Sequence, residues 1–133
     1  MKTKVILEVA LIGIGVVLSM HVAYAQQTGI KRTDLIRNDI SAPGRETIQV
    51  RVDFDAGAFF GRHSHPGEEI AYVLEGSLEY QIDGKPPVTL KAGEALYIPA
   101  GTIHAAKNLG QSNASELATY IVEKGKPLVE VAK

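Results

Sequence analysis

The stretch Gly57 to Gly76, GAFFGRHSHPGEEIAYVLEG, sets two histidines one residue apart and follows them with a turn and a carboxylate. Side chains two apart on an extended strand share a face, so His63 and His65 can reach one ion together. Pro66 and Gly67 are turn formers that bend the chain and return Glu69 to the same spot. The rest of the set lies in Gly93 to Asn108, GEALYIPAGTIHAAKN, where His104 follows a turn from Pro99 to Gly101. The chain has four histidines, and the fourth, His21, falls in an N-terminal segment of different character. An isolated histidine is more often a hydrogen-bonded structural residue. Here every histidine outside that segment belongs to one constellation, and His63, His65, Glu69 and His104 read as the ligands of a single divalent ion. Imidazole nitrogen and carboxylate oxygen are donors that borderline divalent metals accept.

The spacing of fixed residues carries a further signal. Gly57, His63, His65, Glu69 and Gly76 in the first stretch, and Gly93, Pro99, Gly101, His104 and Asn108 in the second, are separated by the 16 residues Ser77 to Ala92. This pattern resembles the cupin superfamily at every anchor position of its two motifs. The resemblance implies a small antiparallel β-barrel of jelly-roll type, with the metal inside and His63, His65, Glu69 and His104 as ligands. It implies no particular reaction, because cupins include dioxygenases, isomerases, decarboxylases, lyases, storage proteins and sensor domains.

Patterning alone also gives an all-β barrel or sandwich. In Thr47 to Phe54, Ile48, Val50, Val52 and Phe54 alternate with polar residues, the period-two mark of a half-buried strand. Ile70 to Leu74 is apolar on both faces: Ala71 and Val73 share parity with Glu69, and Ile70, Tyr72 and Leu74 point the other way and need cover. Leu78, Tyr80 and Ile82 alternate up to a hairpin turn at Asp83 and Gly84. Val88 to Lys91, Leu96 to Pro99, Ile103 to Lys107 and Glu116 to Val122 supply further strands. The expected organisation is a signal peptide at 1–25, an N-terminal arm at 26–46 with Leu35, Ile36 and Ile40 anchoring a short helical turn or loop, a barrel at 47–124, and a tail at 125–133 that packs or frays.

Residues 1–25 combine a positive start at Lys2 and Lys4, an apolar run from Val9 to Met20, and Ala23, Tyr24, Ala25 before Gln26. This reads as a secretory signal peptide cleaved after Ala25, and hence as a periplasmic or secreted protein with no stable membrane anchor. An uncleaved anchor is the second reading, disfavoured because Glu8 and His21 shorten the apolar run below the roughly 20 residues a bilayer needs. Removing Lys2, Lys4 and Glu8 from 14 Lys+Arg and 15 Asp+Glu leaves 12 basic and 14 acidic residues, a surface with no footprint for nucleic acid. With no cysteine, the chain has no thiolate ligand and no disulfide.

The ligand set does not select among Zn, Mn, Fe, Ni and Cu. For proton transfer the candidates are Tyr72, Tyr80, Tyr97, Glu68 and Glu79. Tyr97, two residues before Pro99, is the weak catalytic candidate. Arg62 could attract an anion near the mouth, and Asn108 could bond near the site or stabilise the barrel end. Two functions follow: a periplasmic metalloenzyme of oxygenase or isomerase type acting on a small polar metabolite, or a non-catalytic metal-dependent binding or sensing module. The uncovered apolar face of Ile70, Tyr72 and Leu74 points to a homodimer.

Overall fold

The structure, a computed structural model, describes residues 27–133. Its strands are β1 (Ile30–Asp39), β2 (Arg45–Phe54), β3 (Phe59–Ser64), β4 (Gly67–Glu75), β5 (Ser77–Ile82), β6 (Val88–Lys91), β7 (Ala95–Ile98), β8 (His104–Lys107), β9 (Ala114–Glu123) and β10 (Glu130–Val131). No helix occurs among the described residues. The strands form two five-stranded antiparallel sheets, β1-β2-β9-β4-β7 and β10-β3-β8-β5-β6, which is the all-β jelly roll expected from the sequence. The segment read as a signal peptide lies outside the described residues.

Alternation places the core. Along β2 every second residue, Glu46, Ile48, Val50, Val52 and Phe54, is buried, and the residues between them are half-buried. Val50, Val52, Val73 and Leu78 have almost no exposure. Each such side chain contributes roughly 1.5–3 kcal/mol relative to an exposed position. The first sheet is held in register across its width: Tyr120 of β9 pairs with Ile48 of β2 and with Glu69 of β4, which pairs with Ile98 of β7. In the second sheet His63 pairs with His104, which pairs with Ile82.

The N-terminal arm differs from expectation. Instead of a helical turn or loop, residues 30–39 form β1, paired from Ile30↔Phe54 to Asp39↔Glu46, so the barrel begins at Ile30 rather than at 47. The register shifts between Asp34 and Ile36, and this bulge breaks the period-two pattern that would have marked the strand. Leu35 and Ile36 are exposed and anchor nothing. The C-terminal tail packs rather than frays: Leu128 and Val129 lie against the core, and Glu130 and Val131 pair with Ser64 and His63.

Gly67 is required by close approach. A Cβ there would lie 2.0 Å from the carbonyl oxygen of Ile121 and 2.7 Å from the Cα of Val122, so only glycine lets β4 begin against β9 two residues before Glu69. At Gly76, φ is 69° and a Cβ would come within 2.9 Å of that of Ala114, so the turn into β5 needs glycine twice over.

Candidate metal centre

His63 stands near the end of β3 and His65 just after it, Glu69 on β4 and His104 at the start of β8; all four are buried. The register of β3 on β8 shifts between Phe60 and His63, just before the ligand side chains, and pairing resumes at His63↔His104. The three imidazoles face one another with ring centroids 4.3 to 5.1 Å apart, and their candidate ligand nitrogens all lie within 4.8 Å of one another.

Each ring is oriented by a backbone carbonyl. Nδ1 of His63 lies 2.7 Å from the oxygen of Gly61, Nδ1 of His65 lies 2.6 Å from that of Leu128, and Nδ1 of His104 lies 2.9 Å from that of Thr102. A carbonyl only accepts, so the proton sits on Nδ1, and in the neutral ring Nε2 presents a lone pair to the centre. Backbone carbonyls in this position fix tautomer and ring angle for metal binding. The Leu128 contact gives the tail a role, since it holds a ring of the cluster.

Glu69 Oε2 lies 3.0 Å from Nε2 of His65 and 3.0 Å from Nε2 of His104. His65 Nε2 and Glu69 Oε2 are fully buried, and despite these short approaches neither makes a hydrogen bond of good geometry. Two buried acceptors held face to face call for a cation or a proton between them. Burial alone would hinder ionisation of Glu69, but the imidazoles of His104 and His65 outweigh it and hold the carboxyl well below the usual carboxylate range. Burial pushes His63 down to about 3, reinforced by the nearby His104, so this ring is neutral at ordinary pH. His104 is shifted the other way: burial lowers it, but the adjacent Glu69 carboxylate favours the charged ring and outweighs that burial. The set therefore offers imidazole nitrogens and one ionised carboxylate, with little proton to displace at His63, and the three-histidine group can hold a divalent metal ion.

A cavity of about 10 Å³ opens beside the cluster, with His63, Glu69 and His104 on one side. A cavity of that size admits roughly one water molecule, so a larger ligand requires the rim to yield. Arg32, Phe60, Tyr80, Ala106, Glu116 and Tyr120 complete the wall. Arg32 lies with its guanidinium 5.8 Å from the centroid of Phe60.

The other sequence candidates are dispersed. Tyr97 is 58% exposed and pairs with Ile70 on the outer side of the β4–β7 edge, so it does not line the cavity; strand parity turns it away. Tyr72 is exposed on the same outer face. Glu68 pairs with Arg45 at 3.3 Å, Glu79 accepts a bond from Gln81, and Arg62 pairs with Asp83 at 2.6 Å on the surface. Asn108 stabilises the barrel end: its Nδ2 donates to the carbonyls of Phe54, Asp55 and Ser112, and its Oδ1 accepts from the Gly110 amide. Tyr80 alone of the proton-transfer candidates reaches the cavity. Glu116, Tyr120 and Arg32 were missed. Glu116 carried a signal, since it shares parity with Ala114, Ala118, Tyr120 and Val122, and an acid on a buried face is unusual.

Comparison with known proteins agrees with this architecture. Residues 50–121 match the cupin domain family. A germin-like protein of Arabidopsis thaliana, subfamily 2 member 2, is 37% identical over 86 residues, covering 59% of this chain and 39% of that protein. The dimethylsulfoniopropionate lyase DddQ of Ruegeria pomeroyi is 38% identical over 56 residues, covering 42% of this chain and 28% of the lyase. The chain thus spans well under half the length of these relatives. Among solved structures, an oxalate oxidase in complex with glycolate superposes with a TM-score of 0.63 at 26% identity, covering 77% of this chain and 55% of the oxidase. On the matched span, which takes in all four buried ligand candidates, the chain belongs to the cupin domain family.

Proposed function

We propose that this chain is an exported metalloenzyme acting on a small carboxylate, with His63, His65, Glu69 and His104 holding one divalent transition-metal ion. The observation that carries the reading is the pair of buried acceptors, His65 Nε2 and Glu69 Oε2, which lie 3.0 Å apart without a hydrogen bond of good geometry. When bound, the ion supplies Lewis acidity toward a substrate oxygen, the chemistry an oxygenase or isomerase of this type needs. Arg32 is the cationic side chain on the cavity wall outside the histidine cluster and suits the anionic end of the substrate. Phe60 and Ala106 give the same space its apolar lining. Support for a carboxylate comes from the named relatives, one an oxalate oxidase bound to glycolate and one a lyase of dimethylsulfoniopropionate. Export follows from the leader pattern of residues 1–25.

The test is turnover. Metal-loaded protein is expected to convert at least one member of a panel of small carboxylic acids, presented with and without oxygen, and to lose that activity in His104→Ala while the barrel stays folded. Glycolate binding without conversion of any panel member would point instead to the non-catalytic binding or sensing module.

The same reading includes a homodimer. Ile70, Tyr72, Leu74 and Tyr97 are all exposed, with Ile70 directly opposite Tyr97 on neighbouring strands, and a contiguous apolar face of this kind favours burial against a second copy. Light scattering is expected to give twice the single-chain mass and to fall to one chain in Tyr97→Glu; a wild-type monomer at working concentration contradicts the pairing.

A further inference from the structure

Two carboxyls reach the cavity from the same sheet, and their surroundings differ. Glu69 has two imidazole nitrogens on its oxygen. Glu116, on β9 in a row with Val52 and Val73, has no cationic nitrogen within 4.0 Å among the described residues. Its polar partner is the hydroxyl of Tyr80, which reaches across the barrel from β5 in the facing sheet and donates to Oε2. Both side chains are buried, Glu116 at 5% and Tyr80 at 1% exposure. A carboxylate so placed, with no ion-pair partner, is expensive to keep charged, whereas the neutral acid is not. Glu116 nonetheless stands in the cavity wall together with His63, Glu69 and His104.

We propose that Glu116 is the general acid of this cavity, with Tyr80 as its positioning residue. The inference rests on the metalloenzyme reading above and names the proton source that reading lacks. As the reaction proceeds, the O–H bond of Glu116 breaks while a new O–H bond forms on a substrate oxygen. The electron pair stays on the Glu116 carboxylate, which the Tyr80 hydroxyl already faces as a donor, and solvent returns the proton after product leaves. Burial pushes the Glu116 carboxyl up, against the Tyr80 hydroxyl and the more distant His104 and Arg32, which favour its charged form.

Infrared difference spectra of the zinc-loaded full chain at pH 7 test this directly. The expected result is a protonated-carboxyl stretch that is absent in Glu116→Gln and displaced in Tyr80→Phe, with one zinc per chain in all three proteins. A wild-type spectrum without the band, a band that survives Glu116→Gln, or loss of zinc from that variant overturns the proposal. Should Glu116→Gln not fold, an undisplaced band in Tyr80→Phe overturns it equally. On a converted carboxylate, kcat of Glu116→Gln is expected to fall by about 100- to 10,000-fold with KM nearly unchanged, and the alkaline limb of the wild-type pH profile to vanish. An unchanged kcat contradicts it. Failure to take up any metal with the band intact would sink the metalloenzyme reading but not the protonation of Glu116, so the two fail separately.

Discussion

Replacing His104 with alanine is expected to lower affinity for a divalent ion by about a hundred- to a thousandfold while the barrel remains folded. Structural zinc sites of four ligands are worth about 10–16 kcal/mol in all, so one ligand carries a few kcal/mol, and each 1.4 kcal/mol is tenfold. The loss is not confined to one donor. His104 Nε2 lies on the Glu69 oxygen, and without that ring the carboxylate keeps only His65 as a partner in a buried setting. The fold survives because His104 contributes to the strand ladder through its backbone, which alanine preserves, and its ring is held by the Thr102 carbonyl and lies beside Glu69. Elemental analysis after dialysis, with circular dichroism alongside, reads both effects. Full metal content in His104→Ala would remove this residue from the ligand set.

The largest stability effect is expected at Gly67. In Gly67→Ala the new Cβ would meet backbone atoms of Ile121 and Val122, which cannot rotate away as a flexible side chain can. Either β4 or β9 must shift in the middle of the first sheet, where Gly67 pairs with Val122 and Glu123 N donates to the Pro66 carbonyl. The cost is about 3 kcal/mol, a fall in melting temperature on the order of 10–20 °C for a domain of this size. Because Glu69 lies two residues on, metal uptake should fall as well. Gly84→Ala is the control: its Cβ meets nothing within 4 Å, and only its φ of 79° is unfavourable, worth about 1–2 kcal/mol. Equal melting of Gly67→Ala and wild type would contradict the close approach.

The elements differ in how far the sequence announced them. β2 and β5 alternate cleanly because one face meets the core and the other meets water, so parity was readable residue by residue. The ligand positions were legible for a different reason: two motifs at fixed spacing hold three histidines and a glutamate that strand geometry must bring together. β1 was not legible, because it is an edge strand that is exposed after Arg32 and its bulge at Asp34 to Ile36 interrupts the period. With β1 unread, Arg32 could not be placed on the cavity. β9 hid Glu116 because both of its faces carry apolar residues, Leu117 and Ile121 on one and Ala118, Tyr120 and Val122 on the other, so the inward parity was ambiguous. Tyr97 failed as a candidate through parity alone, since its neighbour Ile98 is the residue that turns inward on β7.

The most direct measurement is anomalous diffraction from crystals of the metal-loaded protein, collected on either side of the absorption edge of the added ion. The account predicts a single strong anomalous peak per chain, bonded by Nε2 of His63, His65 and His104 and by a carboxylate oxygen of Glu69. A peak located elsewhere, or a cluster whose histidine and glutamate atoms bond one another through protons with no ion among them, would contradict it.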